Sequence, residues 1–191
     1  GAYYAFAERY QNLLAEQGIE VELIQTAGSV ENLRLLDEGQ ADVALVQGGL
    51  AKPGDASTLR SLGGLFHEPF WVFVRDEAGV TSFGDLRTKR FAIGPLGSGT
   101  RILGVELQDE FDGAWPEASR NTLSGTAAAD ALIAGQIDAA GFAASPDAPY
   151  VQTLLRAPGI SLLAFERAEA LSRRQPALAA VTLLRGVVDI G

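Results

Sequence analysis

The sequence has 191 residues, of which 47% are hydrophobic and 20% are charged, so it can bury one large core or two smaller ones. Its net charge of −9 would repel a nucleic-acid backbone and an anionic membrane surface, which excludes nucleic acid as an expected partner. The absence of cysteine excludes disulfides, cysteine-ligated metals and thiol catalysis, and no run of about 20 apolar residues is present that could span a bilayer.

Predicted helices and strands alternate along the whole chain. Apolar residues at helical spacing indicate helices, alternating or continuous apolar runs indicate strands, and glycines separate them. In the first 75 residues we predict a helix over 2–17 ended by Gly18, a strand over 20–24, a helix from its cap Ser29 to Gly39, and strands over 43–46 and 69–74. Next we predict a turn over 82–86, a strand over 91–94 and a helix from the loop 97–100 to 111. The last predicted elements are a helix from its cap Thr126 to Gly135, a strand over 137–142, a helix over 147–157, a strand over 160–165 and a helix over 166–174. This alternation predicts an α/β fold with mostly parallel sheets flanked by helices.

One plan occurs twice in the chain: a loop, a short helix, a glycine stop and a buried strand. The residues at 28–29 and 39–42 form the first copy, and those at 125–126 and 135–138 form the second. Because each copy is a unit of an α/β lobe, the repetition predicts two similar lobes with a ligand cleft between them.

The lobe boundary is expected where polar residues and a glycine follow the apolar run 69–74. We therefore assign a front lobe to residues 1–75 and a second lobe to residues 76–191. The last residues of the chain are expected to return toward the front lobe.

The loop Gly97-Ser98-Gly99-Thr100 is the first candidate binding feature. Its glycines allow a ligand to approach the backbone, and the following helix start presents unpaired N–H groups to a carboxylate, phosphate or sulfonate. Thr100-Arg101 stands where a nucleotide-binding P-loop requires lysine and a hydroxyl residue, so we reject that reading. A loop that only turns the chain is the alternative.

A second helix start follows Gly28, where Ser29 and Val30 lie after a predicted strand. Gln47 ends another predicted strand and is placed for a polar contact, whereas Tyr3 and Tyr4 could lay a ring against an apolar ligand body. The structural alternatives are an ordinary helix cap at Ser29, a solvated strand end at Gln47 and core packing of Tyr3 and Tyr4.

Catalytic machinery is not indicated. His67 is the lone histidine, and a single histidine beside an apolar segment is more often structural. No Ser-His-acid set or metal-ligand cluster is assembled by spacing, so we expect neither an enzyme nor a cofactor.

Taken together, the motifs resemble one family of receptors. In order they are Gly-Ala-Tyr-Tyr at 1–4, Gly-Ser-Val-Glu-Asn-Leu-Arg-Leu-Leu at 28–36, Gly-Gln-Ala-Asp-Val-Ala-Leu-Val-Gln at 39–47, Glu-Pro at 68–69, Gly-Ser-Gly-Thr at 97–100 and Gly-Gln-Ile-Asp-Ala at 135–139. This order is similar to that of the TAXI family, the solute receptors of tripartite ATP-independent periplasmic (TRAP) transporters, which have the type II periplasmic-binding-protein fold.

The resemblance implies a periplasmic or otherwise extracytoplasmic receptor with two lobes joined by a hinge. It would close on a small organic anion, such as glutamate or another dicarboxylate, and deliver it to a membrane permease. The ligand contacts that it implies, together with Gly97 from the glycine loop, are Tyr3, Tyr4, Ser29, Val30, Gln47, Gly97, Ser98, Gly99, Thr100 and Phe142.

The chain departs from the family pattern at both ends. Family members have a strand before the Gly-x-Tyr-Tyr segment and further elements after a segment like that at 186–191, so the sequence resembles the middle of a longer receptor. A front lobe without that strand would expose apolar surface and strand edges. We expect a second copy of the chain, or residues beyond these 191, to cover that edge.

Two alternatives stay open from the sequence. A ligand-sensing domain of a signalling or regulatory protein would have the same fold and the same cleft residues. A transferase of the deaminase-like type on this fold would need an acid or a base in the cleft.

Overall fold

Helices and strands alternate along the chain, as the sequence predicts. The computed structural model describes residues 2–50, 59–65, 67–111, 115–116, 120–175 and 178–184. The helices are α1 (Ala2–Ala15), α2 (Ser29–Asp37), α3 (Gly99–Glu110), α4 (Gly125–Ile133), α5 (Pro149–Leu154) and α6 (Ala168–Arg174), and the strands are β1 (Phe70–Arg75), β2 (Phe91–Ala92), β3 (Arg120–Asn121), β4 (Ala139–Ala143) and β5 (Ile160–Leu162). Two 3₁₀ helices, Asp76–Ala78 and Phe83–Thr88, follow β1.

The described residues divide into two units, each of which is treated separately below. The first unit comprises Gly1–Gly64 with Gly97–Gly99, and the second comprises Leu65–Leu96 with Thr100–Gly191. None of the described helices is long and apolar enough to cross a membrane.

The five strands among the described residues form one sheet in the second unit, in the order β3-β2-β4-β1-β5. Strand β2 runs parallel to both β3 and β4, whereas β1 runs antiparallel to both β4 and β5. The sheet is therefore mixed, and the prediction of mostly parallel pairing is wrong. Apolar runs indicate a buried strand, but they do not encode its direction, which depends on how the chain returns to the sheet.

Both faces of this sheet are buried, and β1 shows why. Trp71 and Phe73 belong to a core with α4 and α5, whereas Val72 and Val74 belong to a second core with α3, α6 and the 3₁₀ helix Phe83–Thr88. Side chains alternate between the faces of a strand, so a continuous apolar run supplies both cores. Complete burial of a large apolar side chain contributes about 1.5–3 kcal/mol.

The first unit contains α1 and α2 but no strand among its described residues. The strands predicted over 20–24 and 43–46 are therefore corrected: both segments lack a β-ladder partner. The carbonyl oxygen of Val21 instead accepts from Gln11 Nε2 at 2.7 Å, and that of Leu45 accepts from Asn32 Nδ2 at 2.8 Å. Val43 is 68% exposed. An apolar sequence pattern indicates a strand, but a strand also needs a neighbouring strand to pair with, and the pattern does not supply one.

The predicted repetition is confirmed for its helix and its stop. Helices α2 and α4 both have nine residues, and each is followed by a glycine in the left-handed conformation, Gly39 (φ 66°) and Gly135 (φ 74°). The glycine N–H donates three residues back at 3.1 Å in both copies, and the next N–H donates five residues back, at 2.8 and 2.9 Å. These are Schellman motifs, and Gly18 ends α1 in the same way.

Several predicted boundaries are shifted. Ser29 and Thr126 are not N-caps: α2 is capped by Gly28 and α4 by Ser124, neither through a side chain. The remaining elements exist but differ in extent: the helices are shorter at α5 and α6, the strands are shorter at β2, β4 and β5, and the turn at 82–86 is the 3₁₀ helix Phe83–Thr88.

Candidate functional site

Two predicted binding loops lie against each other in the first unit. A Cβ added to Gly28 would lie 3.5 Å from Gly97 O and 3.7 Å from Ser98 Cα. Gly28 has φ 146° and ψ −164°, a backbone conformation that residues other than glycine rarely adopt. The start of α2 therefore adjoins the loop from which α3 begins.

Ser29, the first residue of α2, is held from inside. Its side chain is 2% exposed, and its Oγ accepts a hydrogen bond from Gln47 N at 3.0 Å. Asn32 reinforces the same turn, because its Oδ1 accepts from Thr26 Oγ1 at 2.5 Å. The hydroxyl that the sequence assigns to capping thus fixes the end of the segment that carries Gln47.

Gln47 reaches the first residue of α3. A Cβ added to Gly99 would lie 1.7 Å from Gln47 Oε1 and 2.8 Å from Gln47 Cδ, far inside van der Waals contact. The carboxamide therefore occupies the place that any side chain at position 99 would need. The structure brings together five of the predicted site residues in the first unit: Ser29, Gln47, Gly97, Ser98 and Gly99.

The charges at the two helix starts differ. Glu31 lies in the first turn of α2, and its Oε2 accepts from Ala27 N at 2.7 Å. The first turn of α3 has no acidic residue and instead carries Arg101, which is 6% exposed and donates from Nη1 to Gly94 O at 3.2 Å. The first turn of α2 thus carries an acidic residue and the first turn of α3 a basic one.

Thr100 and Phe142 lie in the second unit. Thr100 Oγ1 accepts from Ala143 N at 3.1 Å, which ties the first turn of α3 to the end of β4. Phe142 is 3% exposed and packs against Phe73 and Tyr150, with ring centroids 6.1 and 5.2 Å away. The structure therefore gives Phe142 a packing role in the core.

Tyr3, Tyr4 and Val30 lie on helices of the first unit. Tyr3 and Tyr4 belong to the first turn of α1, where Tyr4 is 37% exposed, and Val30 on α2 is 46% exposed. Solvent can reach the side chains of Tyr4 and Val30, as a ligand contact requires.

No metal site is evident in the part of the chain that the structure describes. No group of three or more histidine, aspartate or glutamate side chains is arranged to hold a metal ion there. His67 is exposed.

Sequence reasoning missed Arg101 and the contact between Gly99 and Gln47. A basic residue in the first turn of a helix opposes the usual charge preference, and this was the available signal for Arg101. The Gln47 contact joins residues distant in sequence, and no local pattern encodes it.

The sequence matches one family over nearly its whole length, residues 1–187, and that family is described as NMT1-like. The chain belongs to the NMT1-like family. No curated protein matches the sequence of this NMT1-like protein significantly.

Solved structures of other proteins are similar to this chain. An ancestral arginine-binding protein bound to arginine has a TM-score of 0.56 at 15% identity, and an ancestral arginine-binding protein bound to glutamine has a TM-score of 0.52 at 15% identity; each covers 90% of this chain and 78% of the other. A histidine kinase sensor domain with similarity to periplasmic binding proteins reaches 0.46 at 18% identity, with 90% and 76% covered. The NMT1-like chain has the periplasmic-binding-protein fold.

Proposed function

We propose that this NMT1-like protein is an extracytoplasmic solute-binding receptor that captures a small organic anion at the start of α3. The observation that carries the proposal is the meeting of the 28–30 and 97–99 loops within one unit, at 3.5 Å between the Gly28 Cβ position and Gly97 O. The family resemblance supports the finer assignment. The receptor would belong to the TAXI class, would bind glutamate or a similar dicarboxylate, and would deliver it to the permease subunits of a TRAP transporter.

Backbone donors at a helix start supply the affinity in this proposal. Each N–H donated to an anion contributes about 1.5–3 kcal/mol, so a few such bonds give micromolar binding or better. Arg101 adds a positive charge in the same turn, whereas Glu31 makes the start of α2 the less favourable place for an anion. The anion is therefore assigned to α3.

The ligand contacts that the sequence predicts remain proposals. Within the first unit we propose that Ser29, Val30, Gln47, Gly97, Ser98 and Gly99 surround the ligand and that Tyr3 and Tyr4 cover its apolar body. We also retain Thr100 and Phe142 as proposed contacts, although Phe142 packs against Phe73 and Tyr150. Four further expectations stay predictions: the lobe boundary near 75, the interlobe cleft, the return of the C-terminal residues toward the front lobe, and a homodimer.

No catalytic step is part of the proposal. The receptor would bind and release its ligand unchanged and without a cofactor, as the solute receptors that the sequence resembles do. Binding energy would serve to hold the ligand until the permease accepts it.

A thermal-shift screen of small organic acids and amino acids tests this function. L-Glutamate and L-glutamine should raise the melting temperature in a concentration-dependent way, because a ligand that binds only the folded state stabilises it. Arg101→Gln should weaken the shift for L-glutamate, whereas Arg87→Gln, at an exposed position, should leave it unchanged. The absence of any shift across dicarboxylates, monocarboxylates and amino acids would overturn the proposal.

A further inference from the structure

Gly99 and Gln47 form an interlocked pair, and this suggests a reason for the glycine other than ligand access. The Gln47 Oε1 atom lies 1.7 Å from the position of a Gly99 Cβ, so the carboxamide fits only because position 99 has no side chain. We propose that Gly99 makes room for the carboxamide of Gln47, and that Gln47 is the residue that selects the ligand by donating its NH₂ group. This inference rests on the proposed function.

The direction of the carboxamide follows from its distances to the Gly99 Cβ position. The atoms closest to the Gly99 Cβ position are Gln47 Oε1, Cδ and Cβ, the last at 3.5 Å, so Nε2 lies farther away than these. The amide nitrogen is therefore turned away from the Gly99 Cβ position.

The backbone of Gln47 is held by a hydrogen bond as well. Its N–H donates to the hydroxyl of Ser29, which is 2% exposed and belongs to α2. Gln47 is thus hydrogen-bonded to the start of α2 and packed against Gly99 at the start of α3. An anchored donor loses little conformational entropy on binding, which favours affinity.

A fixed NH₂ group sets the chemistry of the ligand group that meets it. A carboxylate or an amide carbonyl can accept its hydrogen bond, whereas an ammonium or guanidinium group would leave the donor unpaired in a desolvated contact. The pair therefore selects ligands that present a second acceptor beside the anion held at α3. Dicarboxylates and amino acids with an acid or amide side chain meet this requirement, and L-arginine does not.

A double-mutant cycle separates this role from direct access of the ligand to the backbone. With L-glutamate as the probe in calorimetry, Gly99→Ala and Gln47→Ala should each weaken binding about tenfold or more, as expected for loss of a hydrogen bond to a charged group. The double variant should be no weaker than Gln47→Ala alone, because Gly99→Ala acts only by displacing Gln47. Losses that multiply would show that the ligand itself needs the space at Gly99 and would overturn the inference.

An isosteric charge change tests the selection. Gln47→Glu keeps the shape of the side chain but replaces the donor by a carboxylate, so L-glutamate affinity should fall at least tenfold. Gln40→Glu adds the same charge at an exposed position and should have little effect. Equal effects of the two variants would contradict a donor role for Gln47.

A readout without ligand distinguishes failure of the pair from failure of the function. In ¹H–¹⁵N spectra of the free protein, the Gln47 side-chain NH₂ signals, identified by their loss in Gln47→Ala, should move in Gly99→Ala. They should stay in place in Gly64→Ala, since nothing lies within 4 Å of a Cβ at Gly64. If Gly99→Ala fails to fold, recovery of the fold in the double variant supports the interlock, and continued failure contradicts it. Unmoved NH₂ signals in a folded Gly99→Ala protein would overturn the pair even if the wild type binds L-glutamate.

Discussion

At the scale of single residues, Gly28 and Gly99 are constrained in different ways. Gly28 is constrained by its backbone, with φ at 146°, whereas Gly99 is constrained by the carboxamide that fills its Cβ position. Glycines that look alike in the sequence therefore meet two different physical requirements. The positive φ of Gly28 is a property of its own backbone, whereas the space beside Gly99 is filled by Gln47, a residue distant in sequence.

Gly28→Ala should destabilise the first unit. The conformation of Gly28 is one that an L-residue rarely adopts, and strain of this kind costs about 1–3 kcal/mol. Denaturant unfolding followed by circular dichroism measures the change. Gly64→Ala, without a positive φ or a close neighbour, is the control, and equal stability of the two variants would contradict the assignment.

Asp85 should give the protein a pH-dependent contribution at the acid end. Hydrogen bonds from the backbone N–H groups of Thr81 and Ser82 lower the pKa of Asp85 from 3.8 to about 2. A lowered folded-state pKa stabilises the protein above the unfolded value, so this contribution is complete above pH 3.8 and is lost as the pH falls toward 2.

The stability gap between wild type and Asp85→Asn, measured by thermal unfolding across this range, tests it. The gap should be present at pH 5 and should close near pH 2. A gap that is independent of pH would show that the charge of Asp85 is not responsible.

At the scale of elements, the two Schellman ends of α2 and α4 are the clearest product of sequence reasoning. Their glycines, Gly39 and Gly135, were predicted as stops and form the same hydrogen bonds. The signal is local, because a left-handed residue after a helix favours glycine whatever surrounds it. The surroundings nevertheless differ: Arg75 Nη1 donates to Leu132 O at 3.1 Å beside Gly135, whereas no non-neighbouring atom lies within 4 Å of a Cβ added to Gly39.

Substitution by alanine should therefore cost more at Gly135 than at Gly39. Both variants lose the freedom of a left-handed glycine, about 1 kcal/mol, but a Cβ at Gly135 would also lie 2.9 Å from Arg75 Nη1 and displace it from the helix end. Hydrogen exchange of the last turns of α2 and α4 measures each end separately. Equal losses of protection would mean that Arg75 does not stabilise α4.

The same scale shows where prediction stops. Helices α1 to α4 and strand β1 follow from patterns that lie within the elements themselves. The caps do not: Ser29 has the residue type of an N-cap, yet its hydroxyl accepts from Gln47 N, 18 residues away. A local preference yields here to a tertiary partner that the spacing of apolar residues does not reveal.

At the scale of the whole molecule, the sequence predicts the α/β class and the binding-protein fold, but not the pairing of the strands. The antiparallel placement of β1 between β4 and β5 depends on chain reversals that are distributed over the second unit. The site follows the same division. The glycine loops were recognised from the sequence, whereas the contact of Gly28 with the 97–98 loop and the position of Gln47 required coordinates.

Mapping of backbone amide shifts on titration with L-glutamate tests whether the ligand binds where the two loops meet. We predict that the largest shifts occur at 28–30, Gln47 and 97–99, which meet in the first unit. The start of α4 at 125–126 occupies the equivalent place in the repeated plan and serves as the internal control, where shifts should be small. Saturable shifts confined to α4, or binding that leaves residues 28–30 and 97–99 unperturbed, would contradict it.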